Sequence, residues 1–189
     1  MKKLAFLFAA MLMSTTFFAQ DHFSFRGVSL DGNLEEFISL MAKEGFKVDK
    51  KTDNIATMTG EFTKKNVTLQ ILSTPQTNTV WKVSVIFEEG VTWSSLKSSY
   101  LEYQELFSRK YGKPQSHVET FAEPFREGDG NELQALRNRK CNYSTIYELK
   151  TGTINIELDK AEVLKISYED SFNAQLKDAE KVSSILDEI

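Results

Sequence analysis

WKVSVIFEEGVTWSSLKSSYLEYQELFSRKYGKP, residues 81–114, changes its period partway along. In its first part Trp81, Val83, Val85 and Phe87 alternate with Lys82, Ser84 and Ile86. That is the period of a strand with one face covered and the other largely wet. From residue 93 the apolar positions become Trp93, Leu96, Tyr100, Tyr103 and Phe107, the spacing of a helix laid on a core. Thr92 or Ser94 opens this helix over 93–111, Gly112 ends it, and Pro114 stops it from resuming.

Working outward, the same unit occurs on both sides of this switch. Upstream, Asn33 and Glu36 form a capping box for a helix over 33–44 with the stripe Leu34, Phe37, Ile38 and Met41. Gly45 ends it. Strands follow at 46–49, 55–62, 67–71 and 81–87. Downstream of the second helix come strands at 116–121, 141–149, 153–158 and 163–168. The segment 122–132, AEPFREGDGNE, reads as a loop. A last helix over 172–188 carries Leu176, Ala179, Val182, Ile185 and Leu186 at helical spacing. The turns are short, which favours antiparallel hairpins. The fold class expected is α+β: tandem repeats of one helix followed by about four antiparallel strands, with the helices packed on one sheet face. The repeat is one of architecture rather than of residue identity. Whether the eight strands make one sheet or two is left open by the pattern.

The first residues have a different job. Lys2 and Lys3 precede the apolar run LAFLFAAMLM at 4–13, and Phe17, Phe18 and Ala19 complete a segment laid out as a secretory signal. The organisation expected is then a signal peptide at 1–19, a first repeat at 20–90, a second at 91–170 and the C-terminal helix at 171–189. The expected location is periplasmic or secreted. No later run is long and apolar enough to span a membrane, so no transmembrane segment is expected after signal cleavage.

Removing Lys2 and Lys3 with the signal takes the formal charge from -4 to -6. An acidic chain of this kind lacks the basic face a nucleic-acid partner requires. One cysteine, Cys141, rules out an intrachain disulfide, so a hydrophobic core must hold the fold. Cys141 falls in a strand and reads as a small buried hydrophobe.

The segments FRGVSLDGNLEEFISLMAKEGF (25–46), MTGEF (58–62), VSVIFEE (83–89), W-x-x-L-x-x-x-Y (93–100), RKYGKP (109–114), YELKTGTINIEL (147–158) and VLKISYED (163–170) together resemble small secreted Bacteroides-type proteins of unknown function. Those are similar in architecture to beta-lactamase inhibitor protein, built from tandem helix-plus-sheet repeats like those of the SmpA-related lipoproteins. The resemblance implies a protein-binding role, or alternatively an envelope assembly or structural role. This chain lacks the disulfides of the inhibitor and the lipid-anchor cysteine of the lipoproteins, so neither activity carries over directly.

Catalytic signals are sparse. The two histidines are His22, expected in a frayed N-terminal tail, and His117, at the start of a strand. HExxH, G-x-S-x-G and P-loop motifs are absent, and no cofactor is expected. A hydrolase built on a pair of carboxylates is the least favoured reading. Glu127, Asp129 and Asn131, in EGDGNE, place oxygen ligands at alternate positions and form a weak calcium-loop candidate without the full twelve-residue spacing. Tyrosines carry a polar handle suited to interfaces. Tyr143, Tyr147 and Tyr168 are therefore the residues expected to line an exposed aromatic binding surface. The sequence thus points to a non-catalytic binding module, its partner another protein or an envelope component.

Overall fold

The computed structural model describes residues 21–88 and 92–189; the signal segment at 1–19 lies outside the described residues. The fold is α+β. A short hairpin, β1 (Ser24–Phe25) and β2 (Val28–Ser29), leads to α1 (Leu34–Lys43). Then come β3 (Lys47–Lys51), β4 (Ile55–Phe62), β5 (Lys65–Ser73) and β6 (Val80–Phe87). The second half is α2 (Trp93–Tyr111), β7 (Ser116–Phe121), α3 (Glu132–Arg137), β8 (Cys141–Leu149), β9 (Gly152–Asp159), β10 (Val163–Asp170) and α4 (Ser171–Leu186).

The helix ends follow from their caps. The Glu36 N–H donates to Asn33 Oδ1 at 3.0 Å, and the Asn33 N–H donates back to Glu36 Oε2 at 3.4 Å. Thr92, not Ser94, caps α2: its Oγ1 accepts from the Ser95 N–H at 3.1 Å. Gly112, at φ 83°, then turns the chain out of α2 in a conformation that disfavours other residues.

Eight strands form one continuous antiparallel sheet in the order β3-β4-β5-β6-β10-β9-β8-β7. Each half is a meander, and the halves join where β6 pairs with β10. The inward rows supply the core: Ala56 and Met58, Val67, Leu69 and Ile71, Val83, Val85 and Phe87, then Leu164 and Ile166, Ile154 and Ile156. The stripes of α1 (Leu34, Phe37, Ile38, Met41) and α2 (Leu96, Tyr100, Tyr103, Phe107) close over them in one cluster. Each large side chain fully buried this way contributes ~1.5–3 kcal/mol. Edge strand β3 is exposed throughout and carries Lys47, Lys50 and Lys51, charges that oppose edge-to-edge pairing with another chain.

Three expectations are corrected. Leu72 pairs with Lys82 but Ser73 with Val80, so Trp81 is the extra residue of a β-bulge and leaves the inward row of Val83, Val85 and Phe87. Its half-buried ring lies 4.4 Å from Lys177 Nζ instead. The β1–β2 hairpin and α3 arise where no element was expected. His22 is not frayed: its Nδ1 lies 3.2 Å from Asp170 Oδ2.

The last helix lies along one end of the sheet. Asp170 Oδ1 accepts from the Asn173 N–H at 2.8 Å and caps it. Asn173 donates to the Val80 carbonyl at 2.9 Å, and Glu180 accepts from the Gln76 N–H at 2.7 Å. Asn173 and Glu180 are its buried residues, so polar contacts rather than an apolar stripe hold it. Among the described residues no helix is long and apolar enough to cross a membrane.

Candidate functional site

The structure does not place Tyr143, Tyr147 and Tyr168 on a surface. All three are buried, Tyr168 being the most exposed of them at 6 %. Their row faces α2, and the rings fill the gap between helix and sheet. Tyr143 meets Trp93 edge-on at 5.2 Å and Tyr100 at 5.4 Å. The Tyr147 hydroxyl donates to the Gln104 carbonyl at 2.9 Å. Tyr168 packs on Phe25 at 5.0 Å. Strand alternation correctly put the three on one face. The polar handle then suggested the wet face, whereas the Tyr143 hydroxyl donates to Glu127 and the Tyr147 hydroxyl bonds Gln104 and Ser108 of α2.

Glu127, Asp129 and Asn131 do different jobs. The Glu127 carboxylate is bound to the Lys97 ammonium, which holds it below the usual carboxylate range, and it also accepts from the Tyr143 hydroxyl at 3.3 Å. Asp129 accepts from the Asn131 N–H at 2.7 Å and the Arg126 N–H at 3.0 Å, bonds that lower its pKa and tie the turn. Asn131 precedes α3 and donates its amide to the Asp129 carbonyl at 3.2 Å. Among the described residues, no three His, Cys, Asp or Glu side chains gather in a metal-holding group.

Next to this loop lies a chain of titratable groups that the sequence did not reveal. His117 Nε2 is 3.3 Å from Glu119, and its Nδ1 is 2.9 Å from Thr145 Oγ1, which is 2.6 Å from the Tyr100 hydroxyl. β7 and β8 pair His117 with Thr145 and Glu119 with Tyr143, and α2 lowers Tyr100 onto them. Carboxylate, imidazole and hydroxyl in line is the arrangement of an activated nucleophile. Here the hydroxyl is fully buried and shared between two partners, so no reacting atom can approach it. Burial pushes the Tyr100 phenol up to about 12, against the opposing hydrogen bond from Thr145. The Cys141 thiol is also buried and is pushed up to about 12, first by desolvation and then by Glu127 and Glu132. A thiol in that state is a poor nucleophile at neutral pH.

The exposed feature is on α4. Val182, Ile185 and Leu186 are between 53 % and 60 % exposed, and Ile189 continues their side of the chain. The spacing was legible; its exposure was not, because helical periodicity does not say which apolar stripes find a cover. The outward sheet face differs in kind. Its middle row runs Thr57, Gln70, Ser84, Ser167 and Asn155 across five strands, all polar and uncharged. Compared with protein-family models, curated proteins and solved structures, the chain finds no significant match.

Proposed function

We propose that this chain is an exported, non-catalytic protein-binding module that engages its partner through the apolar side of α4. The carrying observation is the unburied stripe Val182, Ile185 and Leu186 on a helix whose buried residues, Asn173 and Glu180, are both polar. Exposed aliphatic side chains in a row are costly in water and mark interaction sites. A helix presenting i, i+3, i+4 anchors docks into an apolar groove of another protein. The signal-like N-terminus supports an encounter outside the cytoplasm.

The test is capture from the native host's envelope and medium with tagged wild-type protein and with V182D/I185D. Both substitutions are at exposed positions, so melting temperature should stay within a few degrees of wild type. A partner retained saturably by wild type and lost by the variant supports the reading. Retention that does not depend on α4, or no partner at all, overturns it. Self-association abolished by the variant would replace the partner with a second copy of the chain.

A further inference from the structure

A cavity of about 340 Å³ opens between the β1–β2 hairpin, the β4–β5 turn and α2. It lies at the small end of the ~300–1,000 Å³ range typical of ligand pockets. Its walls are aromatic: Phe25, Phe62, Phe107 and Tyr111, with Tyr168 among them. Phe25 and Phe62 stack at 5.9 Å, and Phe107 and Tyr111 sit 5.6 Å apart, so the rings are braced by one another.

Two observations give this cavity a chemistry. The first is the Tyr168 hydroxyl. Its ring is more than nine-tenths buried, yet among the described residues the hydroxyl has no hydrogen-bond partner. Every fully sealed side-chain N or O among the described residues does have one. The Tyr168 oxygen is therefore not sealed, and Tyr168 is one of the residues that line this cavity. Burial and the neighbouring Tyr111 and Tyr103 raise its pKa, so it stays a neutral donor in want of an acceptor.

The second is charge. Arg26 and Lys110 line the cavity, and no carboxylate does. Arg26 is already committed, donating to the Glu61 carbonyl at 2.9 Å and pairing with Glu44 at 3.7 Å. Lys110 has no carboxylate partner among the described residues; its ammonium lies 5.0 Å from the Tyr111 ring centroid.

We infer that this cavity binds a small organic acid with an apolar body, its carboxylate accepting from the Tyr168 hydroxyl and facing the Lys110 ammonium. The apolar part, an aryl ring or short alkyl chain, lies against Phe25, Phe62 and Phe107. A carboxylate suits both polar groups at once. A cation would meet the Lys110 ammonium, and a plain hydrocarbon would leave the phenol unsatisfied.

The test uses the full chain, expressed with its N-terminal segment so that the host's own processing applies. Backbone NMR shifts are followed on titration with 3-phenylpropionate and hexanoate, and with their primary amides. Saturable shifts clustered at Phe25, Phe62, Phe107 and Tyr168 are expected, with the amides roughly tenfold weaker or worse. Tyr168→Phe should weaken the acids roughly tenfold. Should that variant disturb the core, Lys110→Gln, at an exposed position, must still narrow the acid-over-amide preference. Shifts that do not saturate, that map elsewhere, or that are indifferent to both substitutions overturn the inference.

Discussion

The Ser84 and Ser167 hydroxyls meet at 2.9 Å across β6 and β10, on the line where the two halves of the sheet join. They are partners in register, and each sits in a matching tetrapeptide: Lys82-Val83-Ser84-Val85 and Lys165-Ile166-Ser167-Tyr168. Both point away from the core, yet they are only 2 % and 3 % exposed. Two residues along the same face, Lys82 and Glu169 are paired at 3.3 Å. The seam between the repeats is thus a hydrogen bond shielded on the polar face and backed by Val83, Val85 and Ile166 on the other.

Removing both of these hydroxyls should cost less than the two single losses added together. Ser84→Ala or Ser167→Ala strands the remaining hydroxyl without its partner, at about 1–2 kcal/mol. In S84A/S167A no orphan remains, so the double variant should be destabilised by less than the sum of the singles. Urea unfolding of the four proteins measures the coupling. Additive losses would mean the pair contributes nothing as a pair.

Much of this arrangement was legible beforehand, and the gaps have physical causes. Helix caps at Asn33 and Thr92 and period-two rows in β4, β5, β8, β9 and β10 are local signals, and they placed the elements correctly. The joining of β6 to β10 is a long-range pairing that no local pattern encodes, although the matching Lys82–Val85 and Lys165–Tyr168 segments were there to be seen. Trp81 kept the alternation on paper, and a bulge broke it. The candidate tyrosines failed for a related reason. Periodicity groups residues on a face, but only packing says that α2 covers the face of Tyr143, Tyr147 and Tyr168.

Asp170 should be the most sensitive single position at the N-terminal side. Its buried carboxylate accepts from the Phe23 N–H at 2.6 Å and the Asn173 N–H at 2.8 Å, and lies 3.2 Å from His22. One group thereby caps α4 and pins the segment before β1. In Asp170→Asn an amide NH₂ must face one of these donors. A loss of about 3 kcal/mol is expected, with faster amide exchange at Phe23 and Asn173 than elsewhere. Uniform acceleration across the sheet would show that the effect is not local.

Gly152 is the first residue of β9, and its requirement is space. A Cβ there would lie 2.3 Å from the Glu169 carbonyl oxygen and 2.6 Å from Phe23 Cγ. The carbonyl belongs to the adjoining strand β10 and cannot step aside. Gly152→Ala should therefore destabilise by roughly 1–3 kcal/mol, as overpacking does. A melting temperature equal to wild type would mean that the Phe23 segment is not seated against the strand.

Raised acid groups under α2 make the fold sensitive to alkali. Burial pushes Tyr100 and Tyr143 from 10.0 up to about 12, and Cys141 from 9.0 to about 12. Protons stay on these groups in the folded chain and leave in the unfolded one. Stability is therefore unaffected by them well below pH 9, then falls as pH rises through 9 toward 12. Unfolding midpoints in urea across that range should decline, and the ring NMR signals of Tyr100 and Tyr143 should keep their phenol shifts until unfolding. Phenolate shifts at those two rings well before unfolding would contradict their burial.

Glu180 governs whether α4 stays on the domain, and so whether its apolar side is presented in a fixed direction. Burial alone would raise its pKa. The Thr77 hydroxyl at 2.5 Å and the N–H groups of Gln76 and Thr77 outweigh this and lower it. A lowered carboxylate pKa gives stability that is present above the ordinary value of 4.5 and is lost as pH falls through the folded value. Amide exchange in α4 should accordingly quicken below that point, ahead of the sheet. Glu180→Gln removes the charge that the turn's donors recognise. It should quicken α4 exchange at neutral pH and abolish the acid dependence, while leaving exchange in β8 and β9 unchanged. Were the acid response to persist in that variant, some group other than Glu180 would be holding the helix.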